Sequence, residues 1–362
     1  TPNEHIQIVA DVEPVFLEDI AATIGAAARL CAAVTALLLP APWLERFCGR
    51  REATTVDAIA TVIFSSGSTA EPKGVQLSHF NLDSNLRGLA QVFRPQREDV
   101  VLGSLPLFHS FGFLTLWFAL TEGLPLAFCP NPLDGDAIGR VVAERRVTLL
   151  LATPTFLQIY ARRCSPDQFG SVRVVMTGAE KLPDRVADAF EQRFGIRPLE
   201  GYGATECAPV IAASVPPYRS AGFFQVGAKR SSVGRPLPGI VVRLVDPDTG
   251  VDVEVGKPGL LLVRGPNVMR GYLGRDDLTE AVLREGWYVT GDLAVEDEDG
   301  FLTITDRLSR FSKIGGEMVP HGKVEDALYD ALGKRDAPRF AVTGVPDEKK
   351  GERLAVLTTV TP

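Results

Sequence analysis

The run from Val62 to Ser78, V-I-F-S-S-G-S-T-A-E-P-K-G-V-Q-L-S, gathers small hydroxylated residues, glycines and one lysine. Backbone N–H groups in such a loop can point into a common concavity and hold phosphate oxygens. Gly67 and Gly74 permit close approach, Ser65, Ser66, Ser68 and Thr69 add hydroxyl donors, and Lys73 adds a mobile positive charge. Gly74 and Val75 follow the lysine where a Walker loop has Ser or Thr, so this is not a Walker loop. A Ser/Gly-rich run is also an ordinary surface loop, so the choice rests on what lies downstream. Four more runs carry polar groups among glycines and aromatics. They are Leu105-Pro-Leu-Phe-His109-Ser-Phe-Gly, Gly201-Tyr-Gly-Ala-Thr-Glu206, Gly286-Trp-Tyr-Val-Thr-Gly-Asp292, and Asp306-Arg307 with Lys313-Ile-Gly-Gly-Glu-Met.

The elements that must position these runs alternate. Thr61–Phe64 reads as a strand that leads through the glycine loop into a helix with Leu82, Leu86, Leu89 and Phe93 on one face and Ser78 as N-cap. Val100–Leu105, Leu124–Phe128, Thr148–Ala152 and Val172–Met176 read as strands. Helical patterns lie between and after them at Asp136–Arg145, Thr155–Arg162 and Asp184–Phe194. Such alternation predicts a largely parallel sheet layered with helices, with ligands beyond the strands' carboxyl ends. The glycine loop and the loops after Met176 and Leu199 are expected to open there. After about Gly227 the pattern changes to short strands separated by turns, predicting a small antiparallel β subdomain. The polar, glycine-rich stretch Asp306–Glu317 reads as a hinge into a partial C-terminal α+β domain. The predicted divisions are 1–55, the end of an N-terminal subdomain with a connector; 56–226, the α/β part; 227–305, the β part; and 306–362.

The chain has 362 residues, ordinary apolar and charged fractions, and a formal net charge of −7 without blocks of like charge. No nucleic-acid partner is expected. The five cysteines are odd in number and lack metal-ligand spacing, which suits a reducing, cytoplasmic setting. The apolar run Leu30–Leu44 is too short to span a bilayer and reads as a buried or interface helix.

Taken in order, the five runs resemble the adenylate-forming superfamily of acyl-CoA synthetases, luciferases and peptide-synthetase adenylation domains, over residues 56–352. Phe311-Ser-Lys-Ile-Gly-Gly-Glu-Met-Val319 and the opening Val62-Ile-Phe-Ser-Ser-Gly-Ser-Thr are most similar to bacterial acyl–acyl carrier protein synthetases, often fused to a lysophospholipid acyltransferase. The resemblance implies an AMP-forming acid–thiol ligase. A fatty acid attacks the α-phosphorus of ATP, pyrophosphate leaves, and the acyl group passes to acyl carrier protein or to coenzyme A. It implies that Ser66, Gly67, Ser68, Thr69 and Lys73 hold the distal phosphates, Thr205 the α-phosphate and Glu206 a Mg²⁺ ion. Tyr202 and Gly203 would lie against adenine opposite Gly178, Ala179 and Glu180, Asp292 would accept the ribose hydroxyls, and Arg307 would reach ribose or phosphate. His109 would stand beside the substrate carboxylate, or simply line a pocket with Phe108 and Phe111. The bland readings are a packed Tyr202, a solvated Glu206 and a turn residue at Asp292.

The sequence departs from the family at Ala70, where glycine is frequent, and at Arg310, where the hinge has Asp or Lys. The family also extends further at both ends and carries its adenylation lysine beyond this chain's last residue. The expectation is therefore a fragment, cytoplasmic or held at the inner membrane face through other parts, and poorly active alone. The reading from a different class is a nucleotide- or acyl-binding fragment without turnover.

Overall fold

A computed structural model describes residues 20, 22–40, 43–44, 46, 55–66, 72–314, 317–332, 339–347 and 351–359. The chain divides into two compact units, Thr1–Thr55 and Val56–Pro362. In the first, Ala26–Leu38 is a helix followed by Pro40, as predicted, but it buries none of its residues. Of the expected alternatives, a buried or an interface helix, burial is not seen within its own unit. Its leucines had suggested burial, yet the described part of the unit provides nothing to cover them.

The second unit is built on a seven-stranded sheet ordered Arg235–Pro236, Val210–Ala213, Leu199–Gly203, Val174–Thr177, Leu149–Ala152, Val101–Gly103, Leu126–Phe128. The last five are parallel, Val210–Ala213 runs against them, and Arg235–Pro236, antiparallel to Val210–Ala213, runs with them again. Alternate residues of the central strands face opposite helix layers. Leu150 and Val175 pack with Val142, Leu157, Val186 and Phe190 on one side. Leu149, Val174 and Met176 pack with Leu86, Leu89, Leu114 and Phe118 on the other. This is the helix-covered parallel sheet that the alternation predicted.

The entry to this sheet differs from the prediction. Ile59–Ser66 does not lead into a helix. It pairs antiparallel with Pro72–Ser78, and the short strand Gly271–Tyr272 adds on, making a separate three-stranded sheet. Val75 and Leu77 are fully buried while Gln76 between them is half-buried, a two-residue period that reads as strand. The helix His79–Phe93 begins only after this strand. Ser78 caps it as expected, accepting from the Asn81 N–H at 3.2 Å while the Asn81 side chain accepts from the Ser78 N–H at 2.9 Å.

Val241–Val245, Gly259–Arg264, Trp287–Glu296, Leu283–Arg284 and Leu302–Arg307 form the antiparallel sheet expected after Gly227. It shares a core with the glycine-loop hairpin through Ile63, Leu77, Leu261, Val263, Tyr272 and Tyr288. The predicted hinge is more regular than expected. A 3₁₀ turn, Leu308–Arg310, leads into the paired strands Phe311–Ile314 and Glu317–Pro320, and Phe340–Asp347 and Gly351–Thr358 complete a four-stranded sheet beside the helix His321–Leu332. Arg310 grips Glu325 of that helix at 2.6 Å.

Candidate active site

The motif Gly201–Glu206 was expected to be a loop. Its first three residues instead finish the strand Leu199–Gly203, and Thr205–Cys207 is a 3₁₀ turn before the chain reverses into Val210–Ala213. The reversal explains the glycine at 203, since a Cβ there would lie 2.1 Å from the Pro209 carbonyl oxygen.

Three hydrogen-bonded groups surround this strand end. In the first, the Tyr202 hydroxyl donates to Asp292 Oδ2 at 2.5 Å, and Arg307 Nε donates to Asp292 Oδ1 at 3.1 Å. Asp292 lies within the strand Trp287–Glu296 rather than before one, and Arg307 stands opposite it on Leu302–Arg307. Burial raises the Asp292 pKa, against the lowering by Tyr202 and Arg307. Burial and the adjoining carboxylate push the Tyr202 phenol well up. Both carboxylate oxygens offered to a ribose are therefore already engaged by protein donors.

In the second group, Ser110 Oγ lies 3.1 Å from Thr205 Oγ1. Ser110 opens the helix Ser110–Thr121, and His109 is its N-cap, with Nδ1 accepting from the Phe111 N–H at 3.2 Å. That bond leaves the proton of a neutral ring on Nε2. Desolvation lowers the His109 pKa and favours the neutral ring. Thus His109 is brought to the same helix start that touches Thr205.

In the third group, the Tyr272 hydroxyl donates to Glu206 Oε1 at 2.8 Å, and Lys73 Nζ stands 5.4 Å from the centre of the Tyr272 ring. Among the described residues Glu206 Oε2 has no hydrogen-bond or ion-pair partner. No cluster of three or more His, Cys, Asp or Glu able to hold a metal occurs among those residues. A single half-buried carboxylate with one free oxygen suits Mg²⁺ held mainly by phosphates, because that ion takes one or two carboxylates and keeps its other positions for phosphate and water.

The remaining expected residues divide. Gly178 is buried against Gly201 and the Phe111 ring, and Ala179 beside it has φ +67°. Glu180 is held elsewhere: its Oε2 accepts from the Thr155 hydroxyl at 2.6 Å and from the Thr155 N–H, at the start of the helix Pro154–Arg163. A carboxylate there complements the helix N-terminus. Ser66 ends its strand opposite Pro72. Gly67, Ser68 and Thr69 lie outside the described residues. Sequence reasoning missed Ser110, Tyr272 and Glu200. Ser110 follows His109 within a quoted run, and Tyr272 is an aromatic between glycines at 271 and 274, a local pattern that could have marked it. The Glu200 carboxyl is half-buried, accepts from the Leu182 N–H and is pushed up to about 7 by desolvation. Nothing in its sequence neighbourhood signals this.

The profile of the AMP-binding enzyme family matches residues 7–273. A long-chain-fatty-acid–CoA ligase of Yersinia pestis is 35% identical over 300 residues, covering 81% of this chain and 51% of that protein. A feruloyl-CoA synthase of an Amycolatopsis species is 34% identical over 301 residues, covering 82% and 58%. The chain spans about half the length of these curated relatives. Among solved structures, ATP-bound MatB from Rhodopseudomonas palustris is 28% identical with a TM-score of 0.72, covering 87% of this chain and 61% of that one. The o-succinylbenzoate coenzyme A synthetase MenE of Bacillus subtilis, in complex with ATP and magnesium ion, is 27% identical with the same TM-score of 0.72, covering 85% and 62%. No described helix is long and apolar enough to cross a membrane.

Proposed function

The chain belongs to the AMP-binding enzyme family, and from that premise we propose that it activates a fatty acid with ATP and passes the acyl group to a thiol. The observation that carries this reading is the convergence of Asp292 and Arg307, Thr205 and His109, and Glu206 and Lys73 on one strand end through Tyr202, Ser110 and Tyr272. Tyr202 frames the adenine opposite Gly178 and Ala179. Ribose exchanges with the donors now on Asp292. Thr205 and Lys73 hold phosphates, with Ser66 and the hydroxyls of the glycine loop. Glu206 holds Mg²⁺, which supplies neutralisation of the charge on the phosphates when bound. Glu180, tied to Thr155, acts by shaping the loop after Thr177 rather than by touching the nucleotide.

The acyl chain enters beside the helix Ser110–Thr121. A small apolar cavity there is lined by Ile63, Leu77, Leu82, Phe113, Leu114 and Trp117. The thiol is assigned to coenzyme A because both curated relatives described above are named for coenzyme A products. Acyl carrier protein, and a partner acyltransferase, find no support among them.

The test is pyrophosphate exchange into ATP with palmitate and Mg²⁺, run on this chain and on a longer form extended at both ends. Exchange dependent on palmitate is the expected outcome for the longer form. Nucleotide binding without exchange in either form would replace ligation by a binding role, and acetate outperforming palmitate would overturn the fatty acyl assignment.

A further inference from the structure

The hairpin lysine and the turn carboxylate come from segments more than a hundred residues apart, and one short segment holds them in place. Residues 267–273 run between the glycine-loop hairpin and the Thr205–Cys207 turn. On the turn side, the Asn267 side-chain amide donates to the Cys207 carbonyl at 2.8 Å and the Met269 N–H donates to the Glu206 carbonyl at 2.8 Å. On the hairpin side, the Arg270 N–H donates to the Gln76 carbonyl at 3.0 Å and the Leu273 N–H to the Gly74 carbonyl at 2.8 Å. Between them stands Tyr272, 4% exposed and opposite Val75 in the strand register. Its ring lies beneath Lys73, and its hydroxyl holds one oxygen of Glu206.

We propose that Tyr272 is a positioning residue for the metal-binding carboxylate: its phenol fixes Glu206 so that the free oxygen faces the metal, while its ring keeps the Lys73 ammonium nearby. The proposal rests on the assignment of Glu206 to Mg²⁺ made above. Two physical points support it. A carboxylate with one oxygen tied has lost rotamer freedom before the metal arrives, so binding orders less. Hydrogen-bonding partners of metal ligands typically contribute ten- to a hundredfold in metal affinity. The ring contact adds a link that a carboxylate alone lacks, because an ammonium over a tyrosine face is attracted by the ring quadrupole. A tyrosine that merely filled the core could satisfy its hydroxyl on any acceptor and would not need the ammonium over its ring.

The experiment compares wild type, Tyr272→Phe, Glu206→Gln and the double variant by calorimetric titration with AMP in the absence of metal, and with ATP across a Mg²⁺ series. Tyr272→Phe is expected to leave AMP affinity within about twofold and to raise the Mg²⁺ needed for half-maximal ATP binding about tenfold or more. In the Glu206→Gln background the same change should add nothing. An unchanged Mg²⁺ requirement in a folded Tyr272→Phe protein overturns the proposal, as does an equal effect in the Glu206→Gln background. A wild type that binds neither nucleotide overturns the site assignment itself, and this proposal with it. Should Tyr272→Phe fail to fold, 3-fluorotyrosine at position 272 keeps the packing and sharpens the donor. An unaltered Mg²⁺ requirement in that protein also overturns the proposal.

Discussion

Glu200 makes the stability of the fold depend on pH in an unusual direction. Its carboxyl is pushed from an ordinary 4.5 to about 7, chiefly by desolvation, against the help of the Leu182 N–H and Lys181. Between these values the folded chain keeps a proton that the unfolded chain has lost. The contribution is therefore fully present below pH 4.5 and is lost as pH rises through about 7. At about 1.4 kcal/mol per pKa unit, the whole effect is roughly 3 kcal/mol, most of which falls between pH 5 and pH 8. That is a large share of the ~5–15 kcal/mol that separates folded from unfolded domains. Glu200→Gln removes the titration and keeps an oxygen to accept from Leu182. Urea unfolding of both proteins followed by tryptophan fluorescence at pH 5 and pH 8 measures the difference. Relative to wild type, the glutamine variant should gain roughly 2 kcal/mol on going from pH 5 to pH 8. Curves for the two proteins that shift in parallel, within ~0.5 kcal/mol, would refute the reasoning.

Other expectations follow from the same geometry. Lys73→Ala should weaken ATP binding by roughly tenfold or more, the loss of one charged hydrogen bond, and leave AMP less affected; equal loss for both nucleotides would contradict its assignment to the distal phosphates. Asp292→Asn should lower ATP affinity but have little effect on 2′,3′-dideoxy-ATP, and equal titration curves for both ligands in wild type would remove the ribose role. Arg173→Ala leaves Asp99 buried without the guanidinium that holds it at 2.5 Å, so thermal unfolding should register a cost of about 3 kcal/mol; a cost below ~1 kcal/mol would mean that Thr148 and backbone donors suffice. Gly112→Ala places a Cβ 2.1 Å from the Pro106 carbonyl oxygen, so its expression and melting temperature should fall sharply, and a wild-type melting curve would show that the His109 loop yields.

How much was legible in the sequence depends on where the deciding forces act. The helix Asp184–Phe194 was predicted with its observed bounds because Val186, Ala187 and Phe190 recur at helical spacing, and all three are buried. The antiparallel sheet after Gly227 was visible from its turns, Asp246–Gly250 and Asp297–Gly300. The strand Pro72–Ser78 was lost because its proline and glycine look like loop, although Val75 and Leu77 alternate with Gln76 around the period of a strand. The candidate residues quoted from motifs stood out by type and order. Their partners were not. That Tyr202 ties up Asp292, or that Thr155 claims Glu180, depends on pairs 90 and 25 residues apart. Such pairs are set by the crossing of sheets and leave no local periodicity. Glu200 is the sharpest case, since only its tertiary surroundings exclude water.

The hairpin that replaces the expected strand–loop–helix entry separates two kinds of change that evolution or engineering could make there. Ser65 pairs with Lys73 and Ser66 with Pro72, so the ladder is closed below the turn. Residues added or removed between Ser66 and Pro72 leave those pairs intact, and the lysine stays where it stands. A residue removed from within Pro72–Ser78 instead slips the part of the strand on one side of the deletion by one place and sends its side chains to the opposite face. For a deletion between Lys73 and Val75, either Val75 and Leu77 would then leave the core or Lys73 would turn away from Tyr272. The length of the segment between Ser66 and Pro72 is thus free to vary, while the placement of Lys73 is inherited with the sheet.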